Sequence, residues 1–108
     1  MYVVTRQDLT PGNQAAQATH AALTFAFEHP DIFRSWHETS QYLVLLAAPD
    51  EAALLGLPQR AERAGLSTST YREPDFDDSV TAVVIEPGEL TSKICANYPL
   101  ALREDCMA

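Results

Sequence analysis

The chain has 108 residues, enough to bury a core of its own and too few to split into two ordinary domains. Hydrophobic residues make up 46% and charged residues 20%, the proportions of a soluble globular protein, and no apolar run approaches the roughly 18 residues that span a bilayer. Fifteen acids against seven bases leave a formal net charge of −8, which argues against the basic, phosphate-gripping surface on which tight nucleic-acid binders depend.

Lys93 is the only lysine, and Arg6, Arg34, Arg60, Arg63, Arg72 and Arg103 are spread thinly along the chain. The N-terminus lacks the basic region, apolar stretch and small-residue cleavage site of a signal peptide, so a cytoplasmic protein is expected. Cys95 and Cys106 are expected to remain reduced thiols. No CxxC, HExxH or clustered His/Cys spacing points to a metal, and residues 1–108 read as one domain.

In chain order, residues 2–5 (YVVT) are short, β-branched and aromatic and predict a strand. Asp8, Leu9, Thr10, Pro11 and Gly12 break it. Thr10 is suited to cap a helix with Pro11 at its first position, where a missing N–H costs nothing. That helix is predicted to run to residue 27 or 28. Its expected apolar stripe is Ala15, Ala18, Ala22 and Phe25, widened by Ala16, Leu23 and Phe27. Asn13, Gln17, His20 and Thr24 form a second, polar stripe. His29-Pro30 ends the helix, and residues 31–37 predict a short second one.

Residues 41–48 (QYLVLLAA) form a nearly continuous apolar run, the pattern of a central strand covered on both faces. Asp50 can cap a helix that Gly56 and Pro58 interrupt before it resumes to Ala64, with Gly65 past its end. Residues 66–71 alternate and predict an exposed or edge strand. Residues 73–79 (EPDFDDS) make an acidic turn, and residues 80–85 (VTAVVI) a buried strand. A last helix is predicted over 89–97. The order strand, helix, short helix, strand, helix, strand, strand, helix predicts an α/β sandwich with a four-stranded sheet, its last two strands pairing as a hairpin.

Two places carry candidate chemistry. At the mouth of the first strand stand Arg6 and Asp8, followed by Gly12 and a helix start whose N–H groups and dipole suit an anion or a developing oxyanion. Gln17 and His20 follow on that helix, as site residues or simply as a polar face. In the acidic turn, Glu73 or Asp75 at a strand end can orient a water or act as general base, or the turn can be a solvated loop. No nucleophile elbow, phosphate-binding glycine loop or Ser-His-Asp order is visible.

RQDL at 6–9 followed by AAQATHAAL at 15–23 resembles the signature of the type-2 peptidyl-tRNA hydrolases of archaea and eukaryotes and their small bacterial and phage relatives. The chain looks like a divergent member of the bacterial or phage kind. Arg6, Asp8, Leu9, Gly12, Ala15, Ala16, Gln17, His20 and Ala21 fit the signature. The likeness continues through QYLVLLAAPDEAAL, AERAGL and TAVVIEP, covering about residues 2–87. It implies a three-layer sandwich with a small mixed sheet between helices, often a homodimer, acting without metal or organic cofactor on the ester that joins a peptide to tRNA.

Two departures stand out. The loop before Ala15 is two residues shorter than the family's, and Asn13 occupies the place of its lysine. The family's Asp-Ala-Gly-x-Thr segment reads Arg72-Glu73-Pro74-Asp75, with Glu73 nearest to the acid and no matching threonine. Under the resemblance, Glu73 or Asp75 activates water, Asn13 and Gln17 stabilise the oxyanion, and Arg6 and His20 position substrate or organise the site. Asp8 then holds Arg6 or the turn. A non-catalytic binding module of the same fold and an esterase for small acylated substrates are the alternative expectations.

Overall fold

The computed structural model describes residues 1–103; Cys106, and with it any pairing to Cys95, lies outside the described residues. The chain runs β1 (Tyr2–Arg6), α1 (Pro11–Glu28), α2 (Pro30–Glu38), β2 (Val44–Ala48), α3 (Glu51–Leu55), α4 (Leu57–Arg63), β3 (Thr68–Glu73), a 3₁₀ turn (Pro74–Phe76), β4 (Ser79–Ile85) and α5 (Glu89–Ile94). The strands lie in the order β2-β1-β4-β3. β1 and β2 are parallel, whereas β4 runs antiparallel to both β1 and β3. The sheet is therefore mixed and four-stranded, and β3 and β4 form the expected hairpin.

Helices cover both faces, because the β1 and β4 side chains alternate between two apolar layers. Val3, Ala82 and Val84 pack with Ala18, Ala21 and Phe25 of α1 and with partly buried residues of α2. Val4, Val80, Val83 and Ile85 pack on the other face with Leu54, Leu57, Ala61 and Cys95. Local signals place the helix ends where the sequence predicts them. Thr10 Oγ1 accepts from the Asn13 amide at 3.3 Å with Pro11 at the first helical position, and Asp50 Oδ1 accepts from the Ala53 amide at 3.0 Å. Gly56 divides α3 from α4, and Gly65 takes the positive φ of 77° that favours glycine beyond a helix end.

Three expectations are corrected. The buried face of α1 is Gln14, Gln17, Ala18, Ala21 and Phe25. Ala15 and Ala16 are exposed, as are Leu23 at 65% and Phe27 at 87%. The helix is thus rotated so that two glutamines face the sheet, and Gln17 leaves its predicted polar stripe. Residues 41–48 are not a central strand: only Val44–Ala48 pairs, at one end of the strand order. The outer side of that edge is met by the segment after α5, where the Ala47 amide donates to Pro99 O at 2.9 Å and the Ala101 amide to Leu45 O at 3.0 Å. This capping accounts for the apolar, strand-like composition of a sequence that lies at an edge. Finally, α5 stops at Ile94, short of the predicted 97.

The two α1 phenylalanines separate burial from hydrophobicity. Phe25 is fully buried and Phe27 is 87% exposed. In chemical denaturation, Phe25→Ala is expected to lower stability by about 3–5 kcal/mol, and Phe27→Ala to change it by no more than ~0.5 kcal/mol.

Candidate active site

The residues singled out from sequence gather at one end of the sheet, where β1 and β3 finish and β4 begins, but on two different sides of it. Arg6 follows Tyr2 and Val4 toward the α3 side. Its guanidinium donates to Asp8 through Nε at 2.9 Å and Nη2 at 2.8 Å, a bidentate pair. It also donates through Nη1 to Ser79 Oγ and Val80 O, both at 3.2 Å. The hydrogen bond from Arg6 holds the Asp8 carboxyl below the usual carboxylate range, and the same contact raises Arg6. Glu51 Oε2 accepts from the Val80 amide at 2.7 Å beside them. The Arg6–Asp8 pair thus ties the β1 exit to the β4 entry, and its donors are engaged with protein.

On the α1 side a continuous hydrogen-bonded chain leads to Glu73. Thr5 Oγ1 donates to Thr81 O at 2.9 Å, and Thr81 Oγ1 donates to Gln17 Oε1 at 2.6 Å. Gln17 Nε2 in turn donates to Glu73 Oε1 at 2.9 Å. Thr5 and Thr81 are fully buried and Gln17 is 3% exposed. A β-bulge makes this possible. Tyr71 pairs with Ala82 and Arg72 with Val80, so Thr81 has no partner across the ladder. Regular alternation would turn Thr81 away from α1; the extra residue re-aims its hydroxyl toward Gln17 and returns Val80 to the α3 side.

Glu73 is half-buried at the end of β3. Among the described residues its second oxygen, Oε2, meets only the Asp75 amide, at a long 3.5 Å. The turn behind it is tight: the Asp78 amide donates to Glu73 O at 3.0 Å, and Asp77 and Asp78 take φ of 55° and 58°. Aspartate is among the few residues that tolerate that left-handed geometry. Asp75 is exposed, and no side-chain partner holds it among the described residues.

Asn13 is exposed one turn before Gln17 on α1. His20 is exposed one turn after it, with its ring stacked on Tyr71 at a centroid distance of 4.8 Å and an interplanar angle of 9°. Burial, then the Glu73 and Asp75 carboxylates, push the Tyr71 hydroxyl above the ordinary tyrosine range, so it stays protonated at neutral pH. The helix start is a poorer anion site than its sequence suggests. The Asn13 amide goes to Thr10 Oγ1, the Gln14 amide to Thr10 O, and Pro11 has none.

Glu73, Gln17 and His20 are therefore brought together, with Asn13 on the adjoining turn, while Arg6 and Asp8 stand apart on the other side of the sheet. Gln17 has both amide ends occupied within the protein, which suits it to orient Glu73 rather than to meet a ligand. Thr81, Thr5 and Tyr71 were missed from sequence. A lone threonine in an apolar strand and a tyrosine two residues before Glu73, on the same side of an alternating strand, were the available signals.

Cys95 is buried, and burial pushes its thiol up to about 11, which disfavours the reactive thiolate. Among the described residues, no three His, Cys, Asp or Glu converge as metal ligands. A cavity of about 540 Å³ lies at the other end of the sheet between Tyr2, Tyr42 and Pro87. It holds none of the acid, amide and imidazole grouping around Glu73, so the chemistry identifies the site better than the cavity volume does.

A half-buried carboxylate fixed through a buried amide at the end of a mixed sheet, with a histidine stacked on the tyrosine two residues before it, suits a hydrolase that works by general acid–base chemistry. The family model for peptidyl-tRNA hydrolase PTH2 matches residues 1–97, and the chain belongs to that family. It is 32% identical over 110 residues to the peptidyl-tRNA hydrolase of Thermococcus sibiricus, covering 91% of this chain and 93% of that protein. It is 30% identical over 112 residues to the human peptidyl-tRNA hydrolase 2, mitochondrial, covering 93% of this chain and 63% of the human one. These relatives are archaeal and eukaryotic and give no support to a bacterial or phage-like affiliation.

Because Asp8 titrates lower folded than unfolded, it contributes stability at pH values above its unfolded pKa of about 3.9, and that contribution is lost as pH falls through the folded value. Asp8→Asn is expected to cost about 1 kcal/mol at neutral pH, the scale of a solvent-screened pair. It should also flatten the loss of stability below pH ~4, as read by denaturation across pH.

Proposed function

We propose that this chain hydrolyses the ester joining a peptide to tRNA, with Glu73 as the general base. The observation that carries the reading is the Gln17–Glu73 contact of 2.9 Å, which engages Glu73 Oε1 and leaves Oε2 with the long Asp75 amide contact at the half-buried end of β3. Glu73 Oε2 takes a proton from water as the water oxygen attacks the ester carbonyl carbon. The carbonyl oxygen becomes an oxyanion that the side-chain amide of Asn13, a neutral donor on the neighbouring turn, stabilises. The tetrahedral intermediate then collapses: the carbon–ribose-oxygen bond breaks, and the ribose oxygen regains a proton from the Glu73 carboxyl or from His20. Gln17 and Thr81 orient the base, and Arg6 and Asp8 hold the β1–β4 junction that carries Thr81. Glu73 is preferred to Asp75 because Asp75 is exposed and no side chain among the described residues fixes its carboxylate.

No resident cofactor enters these steps. The family and the names of the relatives support peptidyl-tRNA as the substrate. The net charge of −8 and the neutral Asn13 favour a second reading, a non-catalytic module of the same fold. An esterase for small acyl esters is the third.

The same proposal takes the chain as one functional domain in the cytoplasm and as a homodimer. No described helix is long and apolar enough to cross a membrane, although the human relative's name places that protein in mitochondria. An open groove of about 310 Å³ between α1 and β2, lined by Val3, Ala18, Ala22, Leu23, Leu43 and Leu45 among others, supports self-association. In analytical ultracentrifugation the chain is expected at twice its monomer mass, and Leu23→Glu at the monomer mass.

With purified protein, release of peptide from an N-acylaminoacyl-tRNA is expected. Glu73→Gln should lower kcat at least ~100-fold, the scale of general-base catalysis, with a circular-dichroism spectrum like the parent's. Absence of turnover by the parent protein at high concentration supports the module instead. Turnover of simple acyl esters with none of peptidyl-tRNA supports the small-ester reading.

A further inference from the structure

The α1 side of β3 carries three side chains in register with α1. Ser69 Oγ donates to Glu28 Oε1 at 2.6 Å, Tyr71 stacks on His20, and Glu73 accepts from Gln17. The first pair is structural and the third is the base. The middle pair differs from both, because two rings lie parallel within 9° at 4.8 Å and the His20 residue is exposed. Phe25–His29 and Phe33–Trp36 are tilted by 42° and 37°, and the parallel Phe33–His37 pair lies on α2, away from the acid–base groups. A flat stack beside the base is therefore specific to this site.

The charge balance raises the question of what holds a tRNA end here. Phosphate contacts ordinarily supply most of the affinity for nucleic acid, but around this site acids outnumber bases. Arg6 is paired bidentately with Asp8, and Arg72 Nη1 donates to Asp78 O at 3.2 Å. Four acids, Glu73, Asp75, Asp77 and Asp78, lie in the adjoining turn. That balance disfavours phosphate there and favours uncharged contacts as the source of affinity near the ester. Base–aromatic stacking supplies such contacts and tolerates an acidic neighbourhood. The placement also fits. Tyr71 and Glu73 are two residues apart on one side of a strand, about 6.5–7 Å, and the ester of a peptidyl-tRNA sits on the same ribose as the terminal base.

We propose that the His20–Tyr71 stack receives the terminal nucleobase of the tRNA, extending the stack by one ring and placing the ribose ester over Glu73. This rests on the peptidyl-tRNA reading of the site, and it makes Tyr71 a substrate-binding residue for which the phenol ring, not its hydroxyl, is what matters.

The test separates the base from the ester. Two non-hydrolysable probes are titrated calorimetrically against the full chain: 3′-(N-acylaminoacyl)amido-3′-deoxyadenosine, and the same amide on a ribose that lacks the base. The base-bearing probe should bind roughly tenfold to a hundredfold tighter than the base-free one, the range of a single base stack. Tyr71→Phe should keep that preference, and Tyr71→Ala and Tyr71→Leu should abolish it. On peptidyl-tRNA, Tyr71→Ala should raise KM by a similar factor, and Tyr71→Phe should leave KM near the parent's. The proposal is overturned if the unaltered protein binds both probes equally or neither, or if Tyr71→Ala retains the preference. The probe comparison on the unaltered protein needs no variant to fold. It also stands apart from turnover: base-dependent binding without hydrolysis sinks the hydrolase reading and leaves the stack, whereas hydrolysis with no preference for the base does the reverse.

Discussion

A glutamine amide inside a protein must find partners for both of its ends, because an unpaired buried polar group costs about 1–3 kcal/mol. Gln17 lies on the sheet-facing side of α1 at 3% exposure, and much of the site follows from that requirement. Its oxygen is met by Thr81, and only a bulge in β4 turns Thr81 toward it. Its nitrogen is met by Glu73, which must then stop β3 at that height. Ala18 and Ala21 keep the helix close enough to the sheet for these contacts, both being buried against Val3, Ala82 and Val84. Satisfying one amide thus fixes the helix rotation, the strand irregularity and the direction of the carboxylate together.

The opposite side of the same sheet end is held by charge. Arg6 gathers Asp8, Ser79 and the Val80 carbonyl, and Glu51 takes the Val80 amide. Val80 is the residue that precedes the bulge. Its backbone is therefore pinned from the α3 side while the Thr81 hydroxyl is engaged from the α1 side, so the irregular backbone is fixed from both directions. This explains how Arg6 and Asp8 can matter to the site without facing a substrate. It also gives the left-handed pair Asp77-Asp78 a physical role, since those residues reverse the chain from β3 into the pinned start of β4.

Much of this was legible in the sequence, and the misses share a cause. Capping residues and breakers act locally, so Thr10, Asp50, Gly56 and Gly65 placed the helix ends correctly. Strand composition identified all four strands. Periodicity placed Ala18 and Phe25 correctly in the buried face of α1 but misjudged its rotation, because alanines give a weak apolar contrast: Ala15, Leu23 and Phe27 look more hydrophobic than Gln14 and Gln17, yet the glutamines are buried. What decided the rotation was hydrogen bonding to β3, β4 and the segment after α5, contacts as much as 88 positions apart in sequence. No local pattern encodes those. β2 was assigned to the centre for the same reason, since the segment that covers its edge comes from Pro99 to Ala101. Glu73 was legible as a strand-end acid; its orientation was not, because it depends on a one-residue register shift.

The acidic balance of the chain and the chemistry of the site are compatible once charge is considered locally. A cation in the place of Asn13 would attract phosphate and oxyanion alike, whereas a neutral amide distinguishes them. It can donate to an oxyanion that forms within hydrogen-bond distance, and it offers little to a phosphate held farther off. The acids of the 73–78 turn strengthen the distinction, since at a few ångströms the repulsion between unit charges in partly screened surroundings reaches a few kcal/mol, and beyond a Debye length of about 8 Å salt removes most of it. The turn therefore disfavours an approach led by the nucleic-acid backbone and leaves an approach led by the acyl end and its sugar unpenalised. On the proposed reading, an acidic protein acts on a tRNA ester by recognising its end and not its length.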